Sequence, residues 1–253
     1  MNKIKTNYDR YGNFRITNFF SKDEIEEILK DLESTNNGIQ YLDENSILRR
    51  IEKVTYNIDS LKKANDKIIN LLNKIFNQKM ILFKDKYNVK PPNGEGFYAH
   101  YDGIFMWEDK NGKKHNGWHE YSDEFFNVLI ALDKSDDENG TLEVANENHN
   151  KLTFKEMLQH TLGNGTPQLK KEVENSMKFH KVMLNPGDIV LFSNRCPHRS
   201  EKNKSYNRYR RILYFTYNKL EDGNNYEKYF LDKKSSNKNN NISKALSNRK
   251  ENY

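Results

Sequence analysis

The stretch "NPGDIVLFSNRCPHRS", residues 185–200, predicts a turn, a buried strand and a histidine close behind the strand. Pro186 and Gly187 favour a tight turn, because proline presets one backbone angle and glycine accepts conformations that other residues avoid. The apolar run at residues 189–192 is short and partly β-branched, as is typical of a strand buried on both faces. The turn and strand therefore deliver His198, whose imidazole is a common metal ligand, to the edge of a sheet.

Other segments of the chain share this short, apolar character and are separated by turn residues. They are "MILFKDKYNVK" (80–90), "GFYAHYD" (96–102), "FFNVLIALD" (125–133), "GTLEVA" (140–145), "HKVMLNPGDIVLF" (180–192) and "RRILYFTYN" (210–218). Two amphipathic helices precede them, namely "SKDEIEEILKDLES" (21–34), which begins with a serine cap, and "LKKANDKIINLLNKIFNQ" (61–78). Short strands after a helical start predict a mainly β fold with flanking helices and a double-sheet core of the jelly-roll kind.

A single domain is the expected organisation, since barrels and sandwiches of about 200–250 residues fold as one unit. The chain has 253 residues. We predict one domain over residues 1–231, with a helical part at 1–79 and a β core at 80–220. Residues 232–253 are basic and nearly free of apolar side chains, which predicts a disordered tail.

Charge and composition argue against nucleic-acid and membrane partners. The net charge is +6, but the basic tail accounts for much of it, and no basic stripe with interleaved aromatics appears elsewhere. The N-terminus has no apolar run of the signal-peptide kind, and no stretch of about 18 apolar residues could span a membrane. The one cysteine, Cys196, allows no internal disulfide, which fits a reducing compartment. We expect a cytoplasmic protein that binds a small molecule, and its oligomeric state stays open.

A metal site is indicated by "GFYAHYDGIF", residues 96–105, where His100 and Asp102 alternate along a strand and so project from one face. An aspartate in an apolar strand needs a balancing charge, and a metal ion is one such balance. With His198, the pair matches the two-histidine, one-carboxylate set of non-haem Fe(II), which leaves coordination positions open. The competing interpretation is a structural His100–Asp102 pair and a solvated loop histidine.

The other histidines are weaker candidates. His115 and His119 lie in a charged loop interrupted by glycines and are the next pair to consider. No carboxylate stands at metal-ligand spacing in a strand beside the remaining three, which are His149, His160 and His180.

An iron site that activates dioxygen needs a two-electron donor, commonly a 2-oxo acid whose far carboxylate is held by a fixed cation. Arg210 opens an apolar strand and is the favoured cation, because a buried guanidinium is costly unless a carboxylate meets it. If Ile212 and Tyr214 face inward, strand alternation turns Arg210 inward as well. Arg211 then points outward, and Arg208 is a further rival.

The motifs now described resemble a known family. "HYD" (100–102), "NGTLEVANENH" (139–149), "GDIVLFSNRCPHRS" (187–200) and the arginine strand are similar to the phytanoyl-CoA dioxygenase family of Fe(II)- and 2-oxoglutarate-dependent oxygenases. The likeness runs from Met80 to Asn218 in matching order. It implies a cupin-like double-stranded β-helix core, with Fe(II), 2-oxoglutarate and dioxygen as cofactor and cosubstrates.

The same resemblance implies individual roles. His100, Asp102 and His198 would be the metal ligands and the catalytic centre, and Arg210 would pair with the distal carboxylate of 2-oxoglutarate. Halogenating relatives lack the carboxylate ligand, so Asp102 disfavours halogenation.

The ectoine-hydroxylase branch of the family adds further expectations, because the segment "NVKPPNGEGFYAH" resembles the one that ends at that branch's first ligand. By this likeness Asn88 and Ser200 would contact the cosubstrate. Lys84 lies on the same strand face as Asn88, so it is also expected to contact the cosubstrate. Trp107 resembles an aromatic residue that lines the substrate pocket, and a plain core tryptophan is the alternative.

The reaction implied by the resemblance is hydroxylation of a small polar metabolite. Tyr101 stands where many family members have glutamine, so the family's substrates are not carried over. The same iron centre could instead drive desaturation, cyclisation or C–P or C–N cleavage in a phosphonate or natural-product pathway. A non-catalytic, cupin-like binding protein is the alternative from a different class.

Two long stretches interrupt the strands. Residues 103–124 follow the metal-binding strand directly, and we expect them, with Trp107 and Trp118, to form a mobile cover that shields the iron from water. The alternative for this loop is a solvated hairpin with both rings folded onto the outer surface. The second stretch, residues 148–178, is expected to contain a short helix around "FKEMLQH".

Overall fold

Two antiparallel β-sheets packed face to face form the framework of the protein. In this computed structural model, residues 2–43, 45–145, 158–159 and 167–239 are described. The strands, numbered along the chain, are β1 (Asn13–Ile16), β2 (Ile39–Leu42), β3 (Leu48–Glu52), β4 (Met80–Lys90), β5 (Phe97–His100), β6 (Trp107–Glu108), β7 (Lys114–His115), β8 (Phe126–Ala131), β9 (Leu142–Ala145), β10 (Leu158–Gln159), β11 (Gln168–Leu169), β12 (Phe179–Lys181), β13 (Ile189–Ser193), β14 (His198–Ser200) and β15 (Arg210–Lys219).

The large sheet has seven strands in the order β1-β13-β8-β15-β4-β3-β2, and the small sheet has four in the order β12-β9-β14-β5. All neighbouring strands in both sheets are antiparallel. Successive strands such as β4 and β5, β8 and β9, or β13 and β14 lie in different sheets, so the chain crosses repeatedly between them. This connectivity confirms the predicted mainly β fold with a double-stranded β-helix core.

Apolar side chains fill one part of the space between the sheets. They belong to a buried cluster of Leu129, Ala131, Leu142, Val144, Leu184, Val190, Phe192, Cys196 and Ile212. The rest of the inner face of the large sheet carries polar and charged residues, which lie on β3, β4 and β15. This polar part of the interior contains the candidate site described below.

The helices of the described chain are α1 (Asn2–Tyr11), α2 (Lys22–Ser34), α3 (Asp59–Phe76), α4 (Lys171–Ser176) and α5 (Tyr226–Asn239). Helix α2 begins with the capping arrangement that the sequence predicts, since the Ser21 hydroxyl accepts from the Glu24 N–H and the Glu24 carboxylate accepts from the Ser21 N–H. Helices α2 and α3 pack their apolar faces into the larger core cluster on the outer face of the large sheet. No described helix combines the length and apolar composition needed to cross a membrane.

Strand β4 joins the two sides of the large sheet through Asp85, which is fully buried on the outer face. Its carboxylate accepts hydrogen bonds from the backbone N–H groups of Lys53, Val54 and Thr55 and from the Thr55 hydroxyl, at 2.6–2.8 Å. The Tyr226 hydroxyl of α5 donates to the same carboxylate at 3.2 Å. Asp85 therefore holds the chain ahead of α3 and the start of α5 against the sheet.

Three expectations about the organisation of the chain need correction. Residues 1–79 are not purely helical, because β1, β2 and β3 lie within them and join the large sheet. The C-terminal tail does not begin at 232, since α5 continues to Asn239, and the predicted disorder of 240–253 lies outside the described residues. Of the helix predicted around "FKEMLQH", residues 158–159 instead pair with β11, and the other positions lie outside the described chain.

Candidate functional site

Two histidines and an aspartate meet at the edge of the small sheet. His100 ends β5, His198 begins β14, and the antiparallel register places their Cα atoms opposite each other. Asp102 follows β5 by two residues, so its carboxylate reaches both rings, with Nε2–O distances of 3.9 Å to His100 and 3.6 Å to His198. One ligand atom from each of the three lies within 4.8 Å of the others. The structure thus brings together the three residues that the sequence singles out.

Backbone carbonyls orient both imidazole rings. Nδ1 of His100 lies 2.7 Å from the carbonyl oxygen of Tyr98, and Nδ1 of His198 lies 3.0 Å from that of Cys196. Because a carbonyl only accepts hydrogen bonds, each Nδ1 carries the proton and each Nε2 keeps its lone pair. The two lone pairs are directed toward Asp102, which is the arrangement that metal-binding histidines require.

The carboxylate of Asp102 is fixed by a short chain of polar residues across the large sheet. The Asn127 amide donates to Asp102 Oδ2 at 2.9 Å, and the Thr216 hydroxyl donates to Asn127 Oδ1 at 2.7 Å. Sequence reasoning missed both residues. A signal was available for Asn127, because it is the polar residue inside the otherwise apolar strand β8.

The electrostatic surroundings favour the protonation states that a metal needs. Burial and the neighbouring His198 lower the pKa of His100 to about 3, so its ring is neutral at ordinary pH. Burial by itself raises the pKa of Asp102, but His198 and His100 outweigh this effect and the pKa is lowered. The centre therefore presents one carboxylate and a neutral imidazole from His100 without any pH adjustment.

Arg210 is a buried cation that meets no carboxylate in the described part of the chain. It is 3% exposed at the start of β15, where Ile212 and Tyr214 follow on the same inner face. Among the described residues no carboxylate pairs with Arg210, and its Nε donates no hydrogen bond. Burying a guanidinium costs desolvation free energy unless an anion pairs with it.

The two rival arginines already have partners on the outside of the protein. Arg211 donates to both carboxylate oxygens of Asp133 and pairs with Glu33 of α2. Arg208 forms a two-pronged pair with Asp136 at 2.9 Å. Neither guanidinium is left without a carboxylate, which sets Arg210 apart.

Polar residues surround the inner end of β15. Lys90 is paired with Arg210 across β4 and β15, and its Nζ donates to Ser200 Oγ at 3.0 Å. Ser200 is two residues beyond His198 on β14, and Asn88 lies one alternation from Lys90 on β4. Asn88 is itself held, because its Oδ1 accepts from Arg50 Nε at 3.2 Å. Lys90 was not among the predicted site residues.

Lys84 lies at the opposite end of the same face. It is paired with Thr216, whereas Lys90 is paired with Arg210, so about six residues, or roughly 20 Å of strand, separate it from that arginine. Its Nζ lies 5.0 Å from the ring of Trp118 and 3.4 Å from the Tyr229 hydroxyl. The structure therefore separates Lys84 from Asn88, Ser200 and Arg210, with which the sequence grouped it.

Residues 103–124 form a folded hairpin. Strands β6 and β7 pair, and the ring of Trp107 stacks on His115 with a centroid separation of 4.1 Å. Trp118 is 5% exposed and packs edge-on against Phe83 of the main core. Trp107 therefore stacks on His115. Trp118 is the tryptophan whose ring lies near Lys84, a residue of the inner face of β4.

The fold and the site together define a jelly-roll protein with a two-histidine, one-carboxylate centre. The model of the family described as phytanoyl-CoA dioxygenase (PhyH) matches residues 8–212. The chain belongs to this family.

Two curated relatives are oxygenases of phosphonates by name. The 2-aminoethylphosphonate dioxygenase of an uncultured bacterium is 29% identical over 167 residues, which are 66% of this chain and 56% of the relative. The methylphosphonate hydroxylase of Gimesia maris is 33% identical over 156 residues, which are 62% of this chain and 52% of the relative. The chain thus spans about half the length of the curated relatives that it matches.

Solved structures share the fold at low sequence identity. EctD from S. alaskensis in its apoform superimposes with a TM-score of 0.66 at 18% identity, covering 87% of this chain and 77% of that one. The epimerase SnoN, in complex with Fe3+, alpha ketoglutarate and nogalamycin RO, gives a TM-score of 0.65 at 15% identity, covering 86% and 83%. At these identities the comparison establishes a common fold.

Proposed function

We propose that this protein is an Fe(II)- and 2-oxoglutarate-dependent oxygenase that hydroxylates a small polar metabolite. The observation that carries the proposal is Arg210, a buried guanidinium without a carboxylate partner in the described chain, inside the same barrel as the triad. A structural metal site has no need of such an arginine. Membership of the phytanoyl-CoA dioxygenase family supports the same conclusion.

The donor set fits Fe(II). His100 and His198 offer imidazole nitrogens and Asp102 offers a carboxylate oxygen, and these three would hold the ion on one face. The set has the composition of the facial triad, which leaves further positions for a cosubstrate and dioxygen. In the proposal, the hydrogen bonds of both Nδ1 atoms and of Asn127 keep the three ligand atoms in place before any ion arrives.

The polar end of β15 fits a dicarboxylate. Arg210 would pair with the distal carboxylate of 2-oxoglutarate through two parallel hydrogen bonds, a geometry that only a guanidinium provides. Ser200 Oγ already accepts from Lys90, so the Ser200 hydroxyl proton is free to donate to the same carboxylate. Asn88 lies between this end and the triad and would contact the cosubstrate along its length.

Once bound, iron and 2-oxoglutarate supply the oxidation of a substrate C–H bond by dioxygen, with succinate and carbon dioxide as coproducts. The protein's own contribution is to bind, orient and exclude water. The ring centroids of Phe192 and His198 lie 5.1 Å apart in an edge-on arrangement, and Phe192 belongs to the same buried apolar cluster as Val144 and Ile212. This cluster keeps bulk water from one side of the centre.

Hydroxylation is the proposed outcome, and the small molecule is the proposed partner. Desaturation, cyclisation and C–P or C–N cleavage would use the same residues and are distinguished by their products. We also infer a cytoplasmic location, because the single cysteine is buried and cannot form a disulfide within the chain.

The proposal is tested with the purified protein, Fe(II), 2-oxoglutarate and air. We expect succinate to form in the wild type and not in the His100→Ala variant. Absence of Fe(II) binding would overturn the proposal. Binding of Fe(II) without any conversion of 2-oxoglutarate would also overturn it and would indicate a binding protein.

A further inference from the structure

A group of basic side chains lies on the inner face of the large sheet, close to the triad. Lys86 pairs with Tyr214 in the β4–β15 register, and Lys84 pairs with Thr216, the residue that supports Asn127. Arg50 of β3 lies beside them, opposite Asn88. The Thr216 hydroxyl donates to Asn127, and the Asn127 amide donates to Asp102, so this part of β4 and β15 faces the triad. The basic group and the metal centre therefore share one interior space.

Two carboxylates of the described chain lie near these side chains, namely Glu52, opposite Lys86 on β3, and Asp102. Glu52, 1% exposed, accepts from Lys233 of α5 and lies 3.4 Å from Arg50 Nη1, so two cations already share it. Asp102 is one of the proposed metal ligands, so the bound ion would neutralise its negative charge. We define the basic group as Arg50, Lys84, Lys86 and Lys233, of which Arg50 and Lys233 already pair with Glu52.

Lys86 is the member with the least compensation. Its Nζ lies 4.6 Å from the centre of the Tyr214 ring, and within the described chain no oxygen accepts a hydrogen bond from it. Burial, then Arg50 and Lys84, lowers the pKa of Lys86 well below its usual range. An ammonium group in such surroundings is stabilised only when an anion meets it.

We propose that Lys86 and Arg50, flanked by Lys84, bind a substrate that carries a tetrahedral dianionic group, as a phosphonate or a phosphate monoester does. The inference rests on the proposed function and names its substrate class. A dianionic group with three outer oxygens can accept hydrogen bonds from several such side chains at once.

This anion site is distinct from the position proposed for 2-oxoglutarate. Lys86 is four residues from Lys90 along β4, which corresponds to roughly 13 Å. Arg210 lies at the Lys90 end of β4, where 2-oxoglutarate would bind. The basic group lies toward the other end of β4, beside Asp102. The dianion would be anchored at the basic group and would direct its organic part toward the triad.

Methylphosphonate, methyl phosphate and dimethyl methylphosphonate test the site. The last has the same shape as the first but no charge. Each is titrated by calorimetry into wild type, Lys86→Met and the control Lys219→Met, loaded anaerobically with Fe(II) and 2-oxoglutarate. Lys219 is on the neighbouring strand β15 and pairs with Glu124 at 3.5 Å, away from the basic group.

We expect the two anions to bind wild type and Lys219→Met alike, and Lys86→Met to bind them about 10- to 100-fold more weakly, as loss of a charged hydrogen bond implies. The neutral ester should not bind. Tighter binding of methylphosphonate than of methyl phosphate, or the reverse, identifies the source of the dianion. Equal binding by Lys86→Met, binding of the ester as tight as that of the anions, or no binding of either anion would overturn the site.

The same titration on metal-free protein separates this inference from the proposed function. If Fe(II) and 2-oxoglutarate do not bind but methylphosphonate still binds in a Lys86-dependent manner, the oxygenase proposal fails and the anion site stands. If Fe(II) and 2-oxoglutarate bind and the Lys86→Met variant is unaffected, the anion site fails and the oxygenase proposal stands. Circular dichroism of Lys86→Met checks that the variant is folded in either case.

Discussion

At the scale of single residues, the site is prepared by groups that are not themselves ligands. The carbonyls of Tyr98 and Cys196 set the tautomers of the two histidines, and Asn127 holds one oxygen of Asp102. Because these hydrogen bonds already fix the ligand side chains, little conformational entropy is lost when the metal binds. The proposed ligands can therefore be tested one at a time without dismantling their neighbours.

His198→Ala should abolish turnover and sharply reduce iron affinity while the fold remains intact, because two ligands cannot hold Fe(II) as three do. The measurement is iron stoichiometry after anaerobic loading, with circular dichroism to check the fold. His119→Ala is the control, since His119 lies in the hairpin segment rather than at the triad. Unchanged iron content in His198→Ala would move the site elsewhere.

Arg210→Lys should weaken 2-oxoglutarate binding about 10- to 100-fold, because a lysine cannot form the two parallel hydrogen bonds of a guanidinium. Arg211→Lys is the matched control, since its partners are Asp133 and Glu33 on the outer face. It should lower thermal stability and leave 2-oxoglutarate affinity unchanged. Equal effects of the two variants on the dissociation constant would show that Arg210 does not bind the cosubstrate.

At the scale of elements, β4 organises the protein through the alternation of its two faces. Its inner face presents Lys84, Lys86, Asn88 and Lys90 to the barrel, and its outer face presents Asp85 to the helices. One strand thus links the site to the outer helical layer. A change on one face should therefore have a different consequence from a change on the other.

Asp85→Ala should destabilise the protein by about 3–5 kcal/mol, because it leaves the buried N–H groups of Val54 and Thr55 without an acceptor. The free energy of unfolding in urea measures this effect. Asp123→Ala, at an exposed position, should change it by less than about 0.5 kcal/mol. Similar values for the two variants would contradict the anchoring role of Asp85.

The hairpin after Asp102 can be tested with two glycines that both have positive φ. An added Cβ at Gly117 would lie 2.1 Å from the carbonyl oxygen of Gly103, whereas at Gly112 it would meet nothing within 4 Å. Gly112→Ala should cost only the backbone strain, about 1 kcal/mol. Gly117→Ala should cost several times more and displace Trp118, which thermal unfolding and tryptophan fluorescence would detect. Equal melting temperatures would mean that the hairpin does not pack as described.

At the scale of the whole molecule, the C-terminal helix α5 is tied to the barrel by the basic group. Lys233 reaches Glu52, whose second oxygen faces Arg50, while Tyr41 also donates to Glu52 at 3.1 Å. Burial alone raises the pKa of Glu52, but Lys233 and Arg50 outweigh it and hold the pKa below its ordinary range. The docking of α5 therefore depends on an ionised Glu52.

A carboxyl with a depressed folded-state pKa stabilises the protein above its ordinary pKa, about 4.3, and loses that contribution as the pH falls toward the lower folded value. Glu52→Gln should therefore be less stable than wild type by about 3–5 kcal/mol at pH 7. The gap should shrink by up to about 1.4 kcal/mol per pH unit below about 4.3. Urea unfolding at pH 7, 4 and 3.5 measures it, with exposed Glu26→Gln as the control. A gap independent of pH would contradict the role of ionised Glu52.

The sequence by itself determined the features that depend on local spacing. The bounds of β4 at 80–90 and the capping box of α2 can both be read within one segment. The strand predicted to run through His100 and Asp102 ends at His100, and Asp102 lies in the turn that follows. The fold class follows from the same signals, because periodicity and turn residues specify strands and helices before any long-range contact forms.

Only the tertiary structure decided which separate segments meet. β1, β2 and β3 are short and partly polar, and they become strands because the large sheet offers them backbone partners, which outweighs weak local preference. The Asn127 bond to Asp102 and the clustering of Arg50, Lys86 and Lys233 likewise depend on register and helix docking. Such contacts join residues far apart in the chain, so their energy is set by the assembled sheets and not by any pattern within one segment.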